Sequence, residues 1–252
     1  MVDAGGEKVY AAGPASPYES LVPHRHLGGW TIATAIVLGV AALQLALLTE
    51  WVVRDAETQA SVRDQFFVAR SDLAFNHYRL TLLTKGVGLV VGAAAVLWLV
   101  WQYQAQANLR ALHPARFHPG AVIVAWLIPG LNVAVSLMAM RQLWLGTDPE
   151  KQELRTRRTT PVLWLWWASG ITAATLFLLA LLRTPGSGAS ADQLIARDNL
   201  LVPGCLVGIA SAVLGIVLLV RIAGRLELAE DTAGRPGWQT WSDSSSNRRT
   251  SA

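Results

Sequence analysis

The apolar residues of this chain fall into five long runs separated by shorter polar segments. The runs cover residues 30–49, 80–103, 121–144, 161–182 and 200–222. Each run meets or approaches the roughly 20 apolar residues that a helix needs to cross a bilayer. The pattern therefore predicts an all-α integral membrane bundle over residues 30–226. Residues 1–29 and 227–252 are polar and aperiodic, and they are predicted to be disordered tails.

The third run is interrupted at its centre by Pro129, Gly130 and Asn132. Proline removes a backbone donor and glycine relaxes the restriction on the backbone dihedrals. Backbone groups freed at membrane depth must be satisfied inside protein. We therefore expect a kinked, broken or re-entrant segment surrounded by the other helices. Four spanning helices plus a Pro-broken, re-entrant segment is the preferred fold, and five full spans is the alternative.

Two further patterns predict how the helices are arranged. Between the first two runs, residues 50–79 mix phenylalanines with arginines and aspartates, which indicates an amphipathic helix that lies on the membrane or extends the second span outward. Gly88 and Gly92 form one pair of small residues at four-residue spacing, and Gly204, Gly208 and Ala212 form a second such series. Both series predict close approach of another helix.

Composition supports the membrane assignment. The chain is 52% hydrophobic and 15% charged, whereas soluble domains are about 25% charged. Its net charge of +4 comes from cations that flank the apolar runs, which suits anionic lipid headgroups rather than nucleic acid. The single cysteine, Cys205, excludes a disulfide within one chain and is expected to be a packed structural thiol. The first run is too long for the core of a signal peptide, so no cleaved signal is expected.

The distribution of positive charge predicts a cytoplasmic C-terminus but leaves the side of the N-terminus open. Cytoplasmic segments of bacterial membrane proteins carry the excess of Lys and Arg. With five spans and the N-terminus outside, fourteen of the 21 Lys and Arg residues lie inside. With a re-entrant third segment and both termini inside, the number is again fourteen. The acids that offset the arginines of residues 50–79 favour placing that loop outside, and hence the re-entrant version.

Motifs that would indicate catalysis are missing from the sequence. There is no Gly-rich phosphate loop after a strand, no His-Glu-x-x-His, no Cys-x-x-Cys and no Gly-x-Ser-x-Gly elbow. We therefore expect neither an enzyme nor a cofactor. His24 and His26, and likewise His113 and His118, are better interpreted as interfacial groups that contact lipid headgroups than as metal ligands, because neither pair has further ligands at suitable spacing.

The run between Trp98 and Trp144 resembles an actinobacterial membrane family catalogued as domain of unknown function 4328. The resemblance rests on Trp101-x-Tyr103 followed by Ala107-Asn108-Leu109, on Trp126-x-x-Pro129-x-x-Asn132, on Arg141-x-x-Trp144 and on Asp148-Pro149. It extends over about residues 30–225. It implies a multi-span bacterial plasma-membrane protein and no particular reaction.

The sequence is compatible with two classes of function. The first is a non-enzymatic scaffold or regulator that acts by helix packing and a basic cytoplasmic face, with anionic lipid, a membrane or cytoplasmic protein, or further copies of the chain as partners. The second is a small-solute transporter or channel that uses the broken segment around Pro129 and Asn132. The predicted structural motif comprises Asn108, Trp126, Pro129, Asn132, Arg141 and Trp144. The predicted contacts to lipid or a partner are Arg155, Arg157, Arg158, Arg221 and Arg225.

Overall fold

The computed structural model describes residues 26–64, 68–112, 117–128, 130–147, 160–184 and 190–233, and within these ranges every regular element is a helix. The helices are α1 (Gly28–Arg63), α2 (Arg70–Leu112), α3 (Pro119–Leu127), α4 (Leu131–Gly146), α5 (Pro161–Leu182) and α6 (Ala191–Ala233). The predicted all-α class is confirmed. Helix α6 continues past residue 226, where the predicted bundle domain ends.

Four of the helices, α1, α2, α5 and α6, are long and apolar enough to cross a membrane. Helices α1, α2 and α6 contain 36, 43 and 43 residues, so at 1.5 Å per residue they measure roughly 54, 64 and 64 Å. The hydrocarbon core of a bilayer is about 30 Å thick. These three helices therefore project beyond it. Residues 50–63 of α1 and 70–79 of α2 extend these two spans outward. The sequence had predicted this extension for α2, as one of two alternatives, but not for α1.

The third apolar run is broken, as its composition predicted. Helix α3 has 9 residues and α4 has 16, and at 1.5 Å per residue neither reaches about 30 Å. Between them Ile128 is extended, and Gly130 has a φ of +89°, a region that glycine enters without steric cost. The backbone N–H of Asn132 donates to the Ile128 carbonyl at 3.0 Å. Pro129 itself lies outside the described residues.

The α3–α4 segment enters and leaves the bundle at the same end. Leu109 near the end of α2, Leu143 near the end of α4 and Leu163 at the start of α5 belong to one buried cluster. Leu27, before α1, and Leu226, late in α6, belong to the same cluster. The chain therefore returns after α3 and α4 to the end it left, so these two helices form a re-entrant hairpin. The re-entrant version of the fold is the one observed, and the five-span alternative is not.

Helix α6 is the centre of the bundle, because it packs extensively against both α1 and α5. Its small residues permit this packing, as the sequence predicted. A Cβ added at Gly208 would lie 3.0 Å from Leu45 of α1, and one at Gly204 would lie 3.3 Å from Leu176 of α5. The other predicted pair behaves differently. No described atom outside α2's own backbone and the chain neighbours lies within 4 Å of a Cβ added at Gly88 or Gly92, so this pair faces outward.

A substitution pair tests the role of small residues in α6. Gly208→Leu should lower the apparent Tm in detergent by several degrees, because overpacking typically costs about 1–3 kcal/mol. Gly92→Leu is the matched control, since it places the same side chain on an open helix face, and it should leave the Tm unchanged or raise it. An equal loss of Tm in both variants would contradict the packing described here.

The hairpin topology can be tested by labelling single cysteines in a Cys205→Ser background. His118→Cys precedes α3, Arg141→Cys lies late in α4, and Asp192→Cys lies at the other end of the bundle; all three positions are exposed. In intact cells, His118→Cys and Arg141→Cys should react alike with a membrane-impermeant maleimide. Asp192→Cys should react if these two do not, and should stay unlabelled if they do. Opposite reactivity of the first two positions would show a full span between them.

Candidate functional site at the tryptophan end

One end of the bundle is built around indole rings, and we call it the tryptophan end. It comprises the start of α1, the ends of α2, α4 and α6 and the start of α5, with Trp98, Trp101, Trp144 and Trp166 at its centre. The ring of Trp98 stacks on that of Trp166 at 5.2 Å and lies 5.5 Å from that of Trp101. The Trp101 Nε1 donates to the Thr31 Oγ1 at 3.1 Å. These contacts join α2 to both α5 and α1.

The spacing along α2 explains why this helix carries the cluster. Trp98, Trp101, Ala105 and Leu109 recur at intervals of three and four residues and are all buried, which places them on one helix face. Helix α4 approaches this face closely at its end, where a Cβ on Gly146 would lie 2.6 Å from a methyl carbon of Leu109. Any larger residue at position 146 would force the cluster to shift.

Polar side chains of α2 and α5 hold the hairpin in place. The Gln106 Nε2 donates to the Ala139 carbonyl of α4 at 3.0 Å. The Trp167 Nε1 donates to the Val133 carbonyl near the start of α4 at 2.8 Å. Two neighbouring helices therefore bond to main-chain oxygens of the re-entrant segment. The tip of the hairpin is open, since Leu127, Ile128 and Leu131 are exposed.

Several buried polar atoms near the hairpin have no hydrogen-bond partner among the described residues. Both side-chain atoms of Gln102, the Oε1 atoms of Gln106 and Gln142, and the indole nitrogens of Trp98 and Trp126 are in this group. Gln102 and Gln106 are fully buried. An unsatisfied buried polar group costs free energy, especially where lipid excludes water. The sequence analysis missed this group, although Gln102 and Gln106 lie four residues apart. They adjoin the buried series of α2 that begins with Trp98 and Trp101, which we call the tryptophan stripe.

Cationic side chains surround the tryptophan end. The Arg225 guanidinium lies 4.1 Å from the centroid of the Trp144 ring, in a cation–π contact, and its Nη1 lies 3.5 Å from the Trp144 carbonyl oxygen. Among the described residues, the Arg225 guanidinium is thus held against Trp144, whereas Arg110, Arg141 and Arg221 are exposed on the outside of the bundle. The predicted contact residues Arg155, Arg157 and Arg158 lie outside the described residues.

The predicted motif residues lie in two places, in or beside the tryptophan cluster and near the tip of the hairpin. Trp144 is buried in the tryptophan cluster, Trp126 packs against it half-buried, and Asn108 is buried and engaged in an interaction. Asn132 lies half-buried in the first turn of α4, where its backbone carbonyl accepts a hydrogen bond from the Ser136 hydroxyl. The structure therefore brings Trp126 and Trp144 together at one cluster and leaves Asn132 near the hairpin tip.

Comparison with known proteins identifies the family. A search of curated proteins and a search of solved structures each found no match. The family model described as domain of unknown function (DUF4328) matches residues 66–224. This range contains the tryptophan stripe of α2, the whole hairpin, α5 and most of α6, which is well over half of the chain. The chain therefore belongs to the family of the domain of unknown function DUF4328, as its sequence motifs predicted.

Proposed function

We propose that this membrane protein is a non-enzymatic scaffold or regulator that presents a basic face to an acidic surface in the cytoplasm. The observation that carries the proposal is the group of three exposed arginines, Arg110, Arg141 and Arg221, around the tryptophan end. They come from α2, α4 and α6, three elements that the buried cluster joins. Because these helices are packed together, the three arginines can bind a partner without the cost of first ordering mobile segments.

The orientation of this face follows from charge. Because the hairpin is re-entrant, α1 begins and α6 ends at the tryptophan end. By sequence position, fourteen of the 21 Lys and Arg residues are then assigned to this side and six to the other, and Lys85 lies within the second apolar run. By the positive-inside rule, the tryptophan end is cytoplasmic. The excess of 18 Arg over 3 Lys supports the origin in a GC-rich actinobacterium that the family resemblance implied.

Photo-crosslinking in living cells tests the scaffold proposal. A photoreactive amino acid at position 110 should give a discrete adduct with a protein partner. Replacing both neighbouring cations, Arg141→Gln with Arg221→Gln, should lower the adduct yield about tenfold or more, since each cation near an acidic surface contributes about 1 kcal/mol.

The matched control removes the same charge from the opposite end. Arg54→Gln with Arg183→Gln replaces two exposed arginines there and should leave the adduct unchanged. If both double variants weakened the adduct equally, a general charge effect would explain it. If position 110 gave crosslinks to lipid alone, the protein-scaffold proposal would be wrong.

A transporter or channel is the second candidate, and the side-chain amide atoms without a partner among the described residues favour it. Gln102, Gln106 and Gln142 offer donor and acceptor atoms beside a broken membrane segment, the arrangement in which transporters bind polar solutes. Such groups would bind a neutral polar solute or a chain of water.

Liposome flux separates the two candidates. Under the transporter proposal, purified protein in liposomes should raise the permeability to a small neutral polar solute such as glycerol, and Gln102→Leu should abolish that increase. Under the scaffold proposal, Gln102→Leu should leave permeability at the background level and raise the apparent Tm, because it removes an unsatisfied buried amide. Gln104→Leu removes a half-buried glutamine from the same helix and is the control for a nonspecific disturbance.

A further inference from the structure

Two aspartates and one arginine meet at the end of the bundle opposite the tryptophans. Asp55 lies on α1, and Arg197 and Asp198 lie on α6. The Arg197 Nη2 lies 2.7 Å from the Asp198 Oδ1 and 3.5 Å from the Asp55 Oδ2. The side chains of Asp198 and Asp55 are 0% and 7% exposed, and that of Arg197 is 20% exposed. We call this group the carboxylate triad.

The charges of the carboxylate triad do not balance. Two carboxylates face one guanidinium, which leaves one negative charge in a buried position. The second oxygen of Asp198, Oδ2, is buried and has no hydrogen-bond partner among the described residues. Val52, Leu201 and Val202 pack in the neighbouring apolar cluster, so the surroundings offer little solvation. Burying an uncompensated charge is costly, and a carboxyl group in such a place tends to keep its proton.

The carboxylate triad lies outside the apolar runs that cross the membrane. Asp55 follows the first run, which ends at residue 49, and Asp198 precedes the last run, which begins at residue 200. Burial raises the pKa of Asp198 to about 6; Arg197 opposes this shift by its hydrogen bond and charge, and Asp55 adds to it.

Apart from Arg70, whose side chain lies outside the described part of the chain, the other charged groups of the helices at this end are paired elsewhere or exposed. Glu50 and Arg54 form an exposed ion pair with each other, and Arg63 contacts Asp64 and Asp192. On α2, Arg79 lies over the rings of Trp51 and Phe75, and Leu80 and Leu83 pack against the neighbouring apolar cluster. The remaining charged side chains, Glu57, Asp72, His77, Arg183 and, further along α2, Lys85, are exposed. None of these contacts supplies the missing positive charge.

We propose that Asp55 and Asp198 share one proton and form a proton-binding site that stabilises the packing of α1 against α6. A proton on Asp55 supplies a donor to the unpartnered oxygen of Asp198, a proton on that oxygen can be donated to Asp55, and either brings the triad to neutrality. Loss of the proton leaves two anions against one guanidinium between α1 and α6. The packing of this pair should therefore weaken as the pH on that side rises through about 6.

A divalent metal ion is a poorer occupant. Within the described residues, no group of three or more His, Cys, Asp or Glu side chains is placed to hold a metal ion. The neighbouring guanidinium would also repel a cation of charge two. A proton needs neither further ligands nor a larger space, so the chemistry of the triad favours it.

The pH dependence of stability in detergent tests the proposal. The folded-state pKa of Asp198 is raised, so the stabilisation is complete below the unfolded-state value of 3.8 and is lost as the pH rises through about 6. Between pH 5 and pH 7.5 the wild-type Tm should fall by roughly 3–6 °C more than that of Asp198→Asn. The asparagine mimics the protonated acid, so its Tm should match the wild type at pH 5 and exceed it at pH 7.5.

Several outcomes would overturn the proposal. If Asp198→Asn lowered the Tm equally at both pH values, the triad would be an ordinary ion pair. If Na⁺ or Ca²⁺ raised the wild-type Tm at pH 7.5 as much as acid does, and Asp198→Asn abolished this effect, the site would bind a cation. Glu57→Gln removes an exposed acid from α1 and should keep the wild-type pH profile.

Infrared spectroscopy gives a second measurement that does not depend on the stability of a variant. In wild-type protein labelled with ¹³C-aspartate, the band of a protonated carboxyl group should be present at pH 5 and lost by pH 7.5. Glu57→Gln should retain this band, and Asp55→Asn should alter it because it removes the partner that shares the proton. A wild-type spectrum without the band at pH 5 would contradict the proposal directly.

Discussion

Lipid offers no hydrogen bonds to a peptide backbone, and this constraint determines how the third apolar run is built. A broken helix in a bilayer must find partners for its main-chain groups within the protein. The chain meets this need with neighbouring side chains. Gln106 of α2 and Trp167 of α5 donate to carbonyl oxygens of α4. At the break, the N–H of Asn132 pairs with the Ile128 carbonyl, so the hairpin is held where its own helix is interrupted.

The surrounding helices are packed closely enough to hold the hairpin. Helix α6 presents Gly204 and Gly208 to α5 and α1, and the absence of side chains there lets three spans pack closely. The hairpin lies beside α2 and α5, and its end also meets α6 where Arg225 lies over Trp144. Four spans thus form the bundle, and the two short helices are added to its tryptophan end, where stacked indoles join α2 to α5.

Local sequence predicted the spans and the break, since both depend on hydrophobic runs and on the properties of Pro129 and Gly130. It did not settle the topology, because the charge distribution fits two arrangements equally. The contacts that decide it, Leu109 with Leu163 in one cluster and the stacking of Trp98 on Trp166, join residues far apart in sequence. Composition alone does not determine which distant aromatic residues meet.

The buried acids escaped sequence analysis for a related reason. Asp55 and Asp198 each lie just beyond an apolar run, where an exposed charge is the ordinary expectation. They are buried because α1 and α6 continue as helices past the bilayer and pack against each other there. The length of these two helices thus converts two interfacial aspartates into a buried pair, and neither aspartate shows this when considered alone.

Helix α6 connects the two chemically distinct ends of the molecule. It carries Asp198 near its start and Arg225 near its end, about 40 Å apart at 1.5 Å per residue. Pro203 lies within this helix, so the carbonyl of Asn199 lacks its usual N–H donor. A helix bends most easily at such a position, one residue from Asp198. The turn of α6 that bends most easily is therefore also the turn that carries Asp198 of the carboxylate triad.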